Sequence, residues 1–205
     1  MSTARPGRVR LAAPERRAAL LDCACRVFSE GSYRGTTTAE IAREAGVTEP
    51  ILYRHFASKR DLYLSCLEEA WARVRELWER TIENEPDPAL WVRGIALAYR
   101  DAGELRDTIS SLWVQALAES TEDAEIGEYM RRHLRAVHAY VAAVHRRAQE
   151  TGGILPGRDP AVEAWVFIAI GLLRAADDCL GGIVDERFPA IGASRLAWLT
   201  GRELG

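Results

Sequence analysis

Apolar residues recur along this chain at intervals of three and four, the repeat of a helix face. No segment alternates with the period of two that a half-buried strand requires. A first helix is expected from about Pro14 to Glu30, with Leu21, Cys25 and Phe28 sharing a face; Gly31 and Gly35 bracket the turn after it. Thr37 and Glu40 have the spacing of a capping box and open a short helix to about Ala45. Gly46 ends that helix, because glycine takes a left-handed cap without a side-chain clash. Thr48 then stands where it would cap a second short helix, with Pro50 in the first turn, where a missing N–H costs nothing.

Ser58 and Asp61 make a further capping pair, and a long helical stripe follows from Leu62 through Cys66, Ala70, Val74 and Trp78 to Ile82. Asp87-Pro88 and Asp159-Pro160 each read as an N-cap followed by proline at the first helical position. Between them, Leu105 to Ala116 and Ile126 to Val144 carry two more stripes, and Gly152-Gly153 to Gly157 is a break. Trp165 to Leu173 is apolar almost all round, so its helix must be covered on more than one side. A last helix is expected over Phe188 to Thr200. The fold class is all-α, with nine helices and no sheet.

At 205 residues the chain can hold one large domain or two small ones, and 48% hydrophobic residues are too many for a disordered polymer. Thirty-two alanines against 16 glycines and 8 prolines favour helix. The net charge of −3 argues against a wholly basic protein that coats nucleic acid, but the charge is not evenly spread. Residues 1–60 carry 11 basic and 6 acidic groups, and residues 61–205 carry 16 and 24, so the two parts have opposite sign and invite two jobs. Met1 to Arg10 lacks the apolar segment of a secretory signal. The longest apolar run, Ala164 to Leu173, is half of the roughly twenty residues a membrane span needs. A soluble, cytoplasmic protein is expected.

The segment Thr37 to Lys59, TTAEIAREAGVTEPILYRHFASK, reads as two short helices joined by a tight turn. Ile41, Ala45, Val47 and Leu52 would pack the pair, with small Ala42 at the crossing and Gly46 at the turn, the steric signature of a helix-turn-helix. Thr48, Glu49, Pro50, Tyr53, Arg54 and His55 then fall at or near the outward face of the second helix, suited to a DNA major groove. Arg54 can donate two hydrogen bonds to guanine, and Thr48 can reach a base methyl or a phosphate. Tyr53, His55 and Lys59 can contact phosphates, and Thr37 can place its hydroxyl and backbone N–H there. Glu49 would repel phosphate unless it accepts from a cytosine amino group, and Pro50 can touch a thymine methyl. Lys59 is the single lysine among 27 basic residues. Arg5, Arg8 and Arg10 form a terminal arm that could follow the backbone or enter a minor groove.

This run resembles the DNA-binding domain of TetR-family transcriptional repressors in Thr36-Thr37, Ile41-Ala42, Ala45-Gly46-Val47, Leu52-Tyr53, His55-Phe56, Lys59 and Leu62. The likeness covers roughly residues 14–64; beyond it only length and helical layout agree. It implies a flexible basic arm (1–13), a helix-turn-helix domain (14–57) and a helical ligand-binding and dimerisation domain (58–205). It further implies a homodimer on a palindromic double-stranded operator, joined through the last two helices, here about Asp159–Gly182 and Phe188–Thr200. A small-molecule effector would shift the linking helix, here Ser58–Ile82, and release the DNA. Candidate cavity residues are Trp78, Tyr99, Trp113, Tyr129 and His133, apolar bodies with polar tips. The competing readings are a helical enzyme or ligand-binding protein that retains the hairpin, and an activator of the same fold.

Other chemistry is sparse. No GxSxG, HExxH, Walker loop or GxGxxG context occurs, so neither catalytic set nor cofactor is expected. Cys23, Cys25, Cys66 and Cys179 lack zinc spacing and read as reduced thiols. His138 and His145 lie two helical turns apart, too far for one ion, and no metal site is expected.

Overall fold

Local hydrogen bonds fix where the short helices begin and end, from capping side chains at some termini and from backbone alone at others. The computed structural model describes residues 12–184 and 187–202. Among the described residues all regular structure is helical: α1 (Ala13–Glu30), α2 (Thr38–Glu44), α3 (Glu49–Tyr53), α4 (Lys59–Glu83), α5 (Trp91–Arg100), α6 (Glu104–Glu119), α7 (Ala124–Glu150), α8 (Pro160–Cys179) and α9 (Phe188–Thr200). Nine α-helices with no strand are the all-α class expected. The arm residues Arg5, Arg8 and Arg10 lie outside the described residues.

The capping box of α2 is complete: the Glu40 N–H donates to the Thr37 hydroxyl at 3.2 Å, and the Thr37 N–H donates to the Glu40 carboxylate at 2.8 Å. At the other end the Val47 N–H reaches the Ala42 carbonyl at 2.9 Å and the Gly46 N–H reaches Arg43 at 3.1 Å. Those paired bonds demand a left-handed residue between them, and Gly46 sits there at φ 66°. Thr48 departs from expectation. It occupies the N-cap of α3, but its hydroxyl makes no cap bond. Pro50 has no N–H to offer, and the Ile51 N–H is already held by the Thr48 carbonyl at 2.9 Å. The Asp87-Pro88 pair also differs in detail, opening a 3₁₀ turn (Pro88–Leu90) that leads into α5.

The helices gather into two compact units, one ending at Cys66 and the other starting at Leu67. The first has a core of Leu21, Phe28, Ile41, Leu52, Phe56 and Leu62, all buried, with the Phe28 and Tyr63 rings edge to face at 5.1 Å. Ala42 is buried at the α2–α3 crossing, where a larger side chain would hold the helices apart.

In the second unit α7 lends Ile126, Met130, Val137, Val141 and Val144 to the core, the stripe read from the sequence. Asp123 caps it by accepting from the Glu125 and Ile126 N–H groups. The break after α7 is held by Gln149, whose amide donates to the carbonyls of Leu155, Pro156 and Arg158. Gly153 is required there by proximity. A Cβ on it would stand 2.8 Å from the Pro88 carbonyl oxygen and closer still to the Pro88 carbonyl carbon and the Ala89 nitrogen, all backbone atoms.

His133 is buried among the rings of Trp71, Trp113 and Tyr129, with centroid distances of 5.7, 5.1 and 5.7 Å. Burial pushes its imidazole down to a pKa of about 4, and burial likewise lowers His145.

Two stability outcomes follow from these sites. Gly153→Ala should cost about 2–3 kcal/mol in a urea unfolding series, because backbone must move to admit a methyl; a change within error would remove the close-approach argument. The unfolded His133 takes a proton near pH 6.5 while the folded one resists until about pH 4. Its contribution is therefore complete above pH 6.5 and lost as pH falls, amounting to about 2 kcal/mol between pH 7.5 and 5. His133→Phe should flatten that slope, with the residue left to His145.

Candidate nucleic-acid interface and internal cavity

In the first unit α2 and α3 are tied by a polar bridge that sequence reading missed. The Thr38 hydroxyl, buried at the first position of α2, donates to the Glu49 carboxylate and shares a 3.0 Å bond with the Tyr53 hydroxyl. Glu49 thereby turns toward α2. Tyr53 remains exposed on its ring, at 46%. Thr48, Pro50 and Arg54 are exposed and His55 is half-buried. Arg54 follows α3, where the Arg54 and His55 N–H groups close i→i−3 bonds to Ile51 and Leu52 and tighten the turn. The outward face therefore offers a hydroxyl, an apolar ring, a phenol and a guanidinium within seven residues.

Lys59, first residue of α4, lies 4.8 Å from the centre of the Tyr33 ring and donates to the Arg34 carbonyl at 3.3 Å. Thr37 is exposed beside α2 and exchanges bonds with Glu40, which holds the Glu40 carboxyl below its usual range. Arg17 stacks over Phe56 at 4.7 Å.

The second unit encloses a cavity of about 470 Å³. That size falls within the roughly 300–1,000 Å³ common for small-molecule sites. Trp78, Tyr99 and Trp113, expected there, line it; Trp71 and Phe167 complete its aromatic walls. Trp78 meets Trp71 at 5.7 Å and Phe167 at 5.7 Å, both edge to face. Its indole N–H is buried and has no acceptor. The Tyr99 hydroxyl bonds that of Ser110 at 3.3 Å, and burial pushes the phenol up. Tyr129 and His133 are not among the lining residues; they stack on each other at 5.7 Å beside Trp113. Burial first, then the Glu68 carboxylate, pushes the Tyr129 phenol up.

The four arginines on the cavity, Arg93, Arg100, Arg174 and Arg195, were not legible as site residues. On a helical pattern an arginine reads as solvated surface. Three of the four cysteines, Cys23, Cys25 and Cys66, are buried free thiols, and Cys179 is an exposed one. No cluster of three metal-ligating side chains occurs among the described residues, and no helix among them is long and apolar enough to cross a membrane.

Residues 20–66 match the model for bacterial regulatory proteins of the TetR family, and residues 88–171 match that for the C-terminal part of BetI-type transcriptional repressors. The transcriptional activator FasR of Mycolicibacterium smegmatis is 48% identical over 59 residues, 29% of this chain and 27% of that one. The repressor KstR2 of Mycobacterium tuberculosis is 33% identical over 93 residues, 43% of this chain and 44% of its own. The chain thus spans less than half the length of these curated relatives. Among solved structures, a TetR-family regulator from Rhodococcus sp. superposes with a TM-score of 0.80 at 20% identity, covering 91% of this chain and 99% of that one. A regulator from Saccharomonospora viridis in complex with choline scores 0.70 at 23% identity, covering 89% and 94%. AibR in complex with isovaleryl coenzyme A and operator DNA scores 0.64 at 19% identity, covering 90% and 98%. The two family models cover the helix-turn-helix and most of the second unit, and the fold agrees with them over nearly the full chain. This chain belongs to the TetR family of bacterial regulatory proteins.

Proposed function

We propose that the protein is a ligand-responsive transcriptional regulator, a repressor that holds a palindromic operator as a homodimer and leaves it when a small molecule fills the cavity of the second unit. The observation that carries this is α4. One uninterrupted helix begins with Lys59 in the first unit and goes on to contribute Trp71, Val74 and Trp78 to the cavity wall. A ligand that repositions those side chains acts on the helix that also carries a DNA contact. It must favour the released conformation, since equal affinity for both would shift nothing. The AibR and choline-bound neighbours support a reading in which this fold holds small molecules.

On DNA, Arg54 reads a base edge and Thr48 and Pro50 lie against the groove floor, while Thr37, Tyr53, His55 and Lys59 meet phosphates. Glu49 acts from behind: by holding Thr38 and, through it, Tyr53, it aims the phenol. Domain by domain, residues 14–57 read DNA and residues 58–205 bind effector and partner, with the basic arm of residues 1–13 preceding them.

A second copy of the chain covers the outer face of α8 and α9. Val162, Trp165 and Leu173 on α8 and Trp198 on α9 are exposed, Val162 at 55% and Trp165 at 48%. Large side chains in one stripe are worth about 1.5–3 kcal/mol each when removed from water, so a twofold pairing of that stripe has a strong driving force. The complex works in the cytoplasm, where operator DNA is found, without a chemical step of its own.

Three measurements test this. Anisotropy titrations against DNA flanking the protein's own gene should show affinity falling steeply with salt; a flat salt dependence would contradict groove binding. Lys59→Ala should weaken operator and random DNA alike and lower the salt slope by about one, whereas Arg54→Ala should cost about 1–3 kcal/mol at one base pair and relax preference there. In sedimentation at micromolar concentration the protein should run as a dimer and Val162→Arg should raise the dimer dissociation constant at least tenfold; a monomeric wild type rules out the α8–α9 pairing.

A further inference from the structure

The cavity is apolar in its walls and one-sided in its polar groups. Among the described residues its bordering polar side chains are the indoles of Trp71, Trp78 and Trp113, the hydroxyls of Tyr99 and Ser110, and the guanidinia of Arg93, Arg100, Arg174 and Arg195. No carboxylate lines it among the described residues. Three of the guanidinia are held by acids outside the lining: Arg100 by Asp101 at 2.6 Å, Arg174 by Asp178 at 3.2 Å, and Arg195 by Glu163. Arg93 makes no ion pair among the described residues.

Exposure shows where the cavity opens. On α5, Arg93, Ala96 and Arg100 face it and are also exposed. Across from them Gly171 of α8 and Gly192 and Ala193 of α9 are exposed and small, and a Cβ built on either glycine meets nothing within 4 Å. The exposed lining residues are therefore small apart from Pro189 and the two arginines, Arg93 and Arg100. Farther in, the buried Trp78 N–H awaits an acceptor.

We infer that this cavity, read above as the effector site, takes an apolar monocarboxylate, with its head on Arg93 at the mouth and its body among Trp71, Trp113 and Phe167. A carboxylate meets a planar guanidinium through two parallel hydrogen bonds, so an unpaired arginine at the edge of an apolar space selects that head group. The apolar walls reward a long body by area removed from water. A quaternary ammonium could use the ring faces, but it would enter a space bordered by four guanidinia, with no carboxylate among the described lining residues to balance it. An uncharged ligand would leave Arg93 as it is and gain nothing from it.

The test uses three probes with one tail, decanoate, decanol and decyltrimethylammonium, on the full chain, read by quenching of tryptophan emission and by release of bound DNA. Three tryptophans line the cavity and report occupancy directly. Decanoate should bind at least tenfold more tightly than decyltrimethylammonium, with decanol between them. Arg93→Gln should weaken decanoate at least fivefold and leave decanol unchanged. Gly171→Phe, placed where the glycine has open space, should weaken all three and so locate them in the cavity. Equal or tighter binding of the ammonium, or an Arg93→Gln variant that loses decanoate and decanol alike, overturns the carboxylate assignment while leaving the cavity as an effector site. Should none of the probes quench emission or release DNA, both the assignment and the effector reading fall.

Discussion

A single helix must satisfy two cores in this protein, and much else is arranged around that demand. Leu62, Tyr63 and Cys66 of α4 are buried in the first unit, while Ala70, Val74, Trp78 and Ile82 are buried in the second. Within each core the buried positions on α4 keep the spacing of a helix face. The Ser58 hydroxyl, accepting from the Asp61 N–H at 3.0 Å, and the Asp61 carboxylate, accepting from the Ala57 N–H at 2.8 Å, fix where this helix begins. A start defined that firmly sets the phase of every later residue on it.

The helix-turn-helix was legible because its geometry depends on local bonds. The Thr37–Glu40 box and the Gly46 turn each involve residues within five positions of one another, and their backbone requirements restrict which residue types can stand there. The Thr38–Glu49–Tyr53 bridge could not be read the same way. It joins residues 11 and 15 positions apart across a turn. From the sequence Glu49 was simply a carboxylate at the groove-entering end of a helix, in apparent conflict with phosphate. Packing of α3 on α2 resolves that conflict by giving the carboxylate a hydroxyl partner.

In the second unit the helices were legible and the cavity only in part, through Trp78, Tyr99 and Trp113. Periodicity places Trp78, Trp113 and His133 on apolar faces, but it does not distinguish a face that meets other side chains from one that borders empty space. His133 is packed on three rings, whereas Trp113 meets His133 with one edge and the cavity elsewhere. That difference depends on which helices come together, which a one-dimensional pattern does not contain. The arginines were hidden for the opposite reason: each falls at a helical position where solvent would be the ordinary surroundings, and only the fold turns them to the cavity.

Charge behaves alike at two scales. The chain's −3 conceals an N-terminal excess of base and a larger C-terminal excess of acid. Within that acidic part, arginine supplies the charged groups that border the cavity among the described residues, with the acids that pair Arg100, Arg174 and Arg195 standing outside the lining. Arg195 joins two of the surfaces involved. It lines the cavity, and it also borders the groove between α8 and α9 together with Ile191 and Trp198. Its partner Glu163 accepts from the Trp198 indole at 3.5 Å, so the same carboxylate holds a cavity residue and a residue of the exposed face.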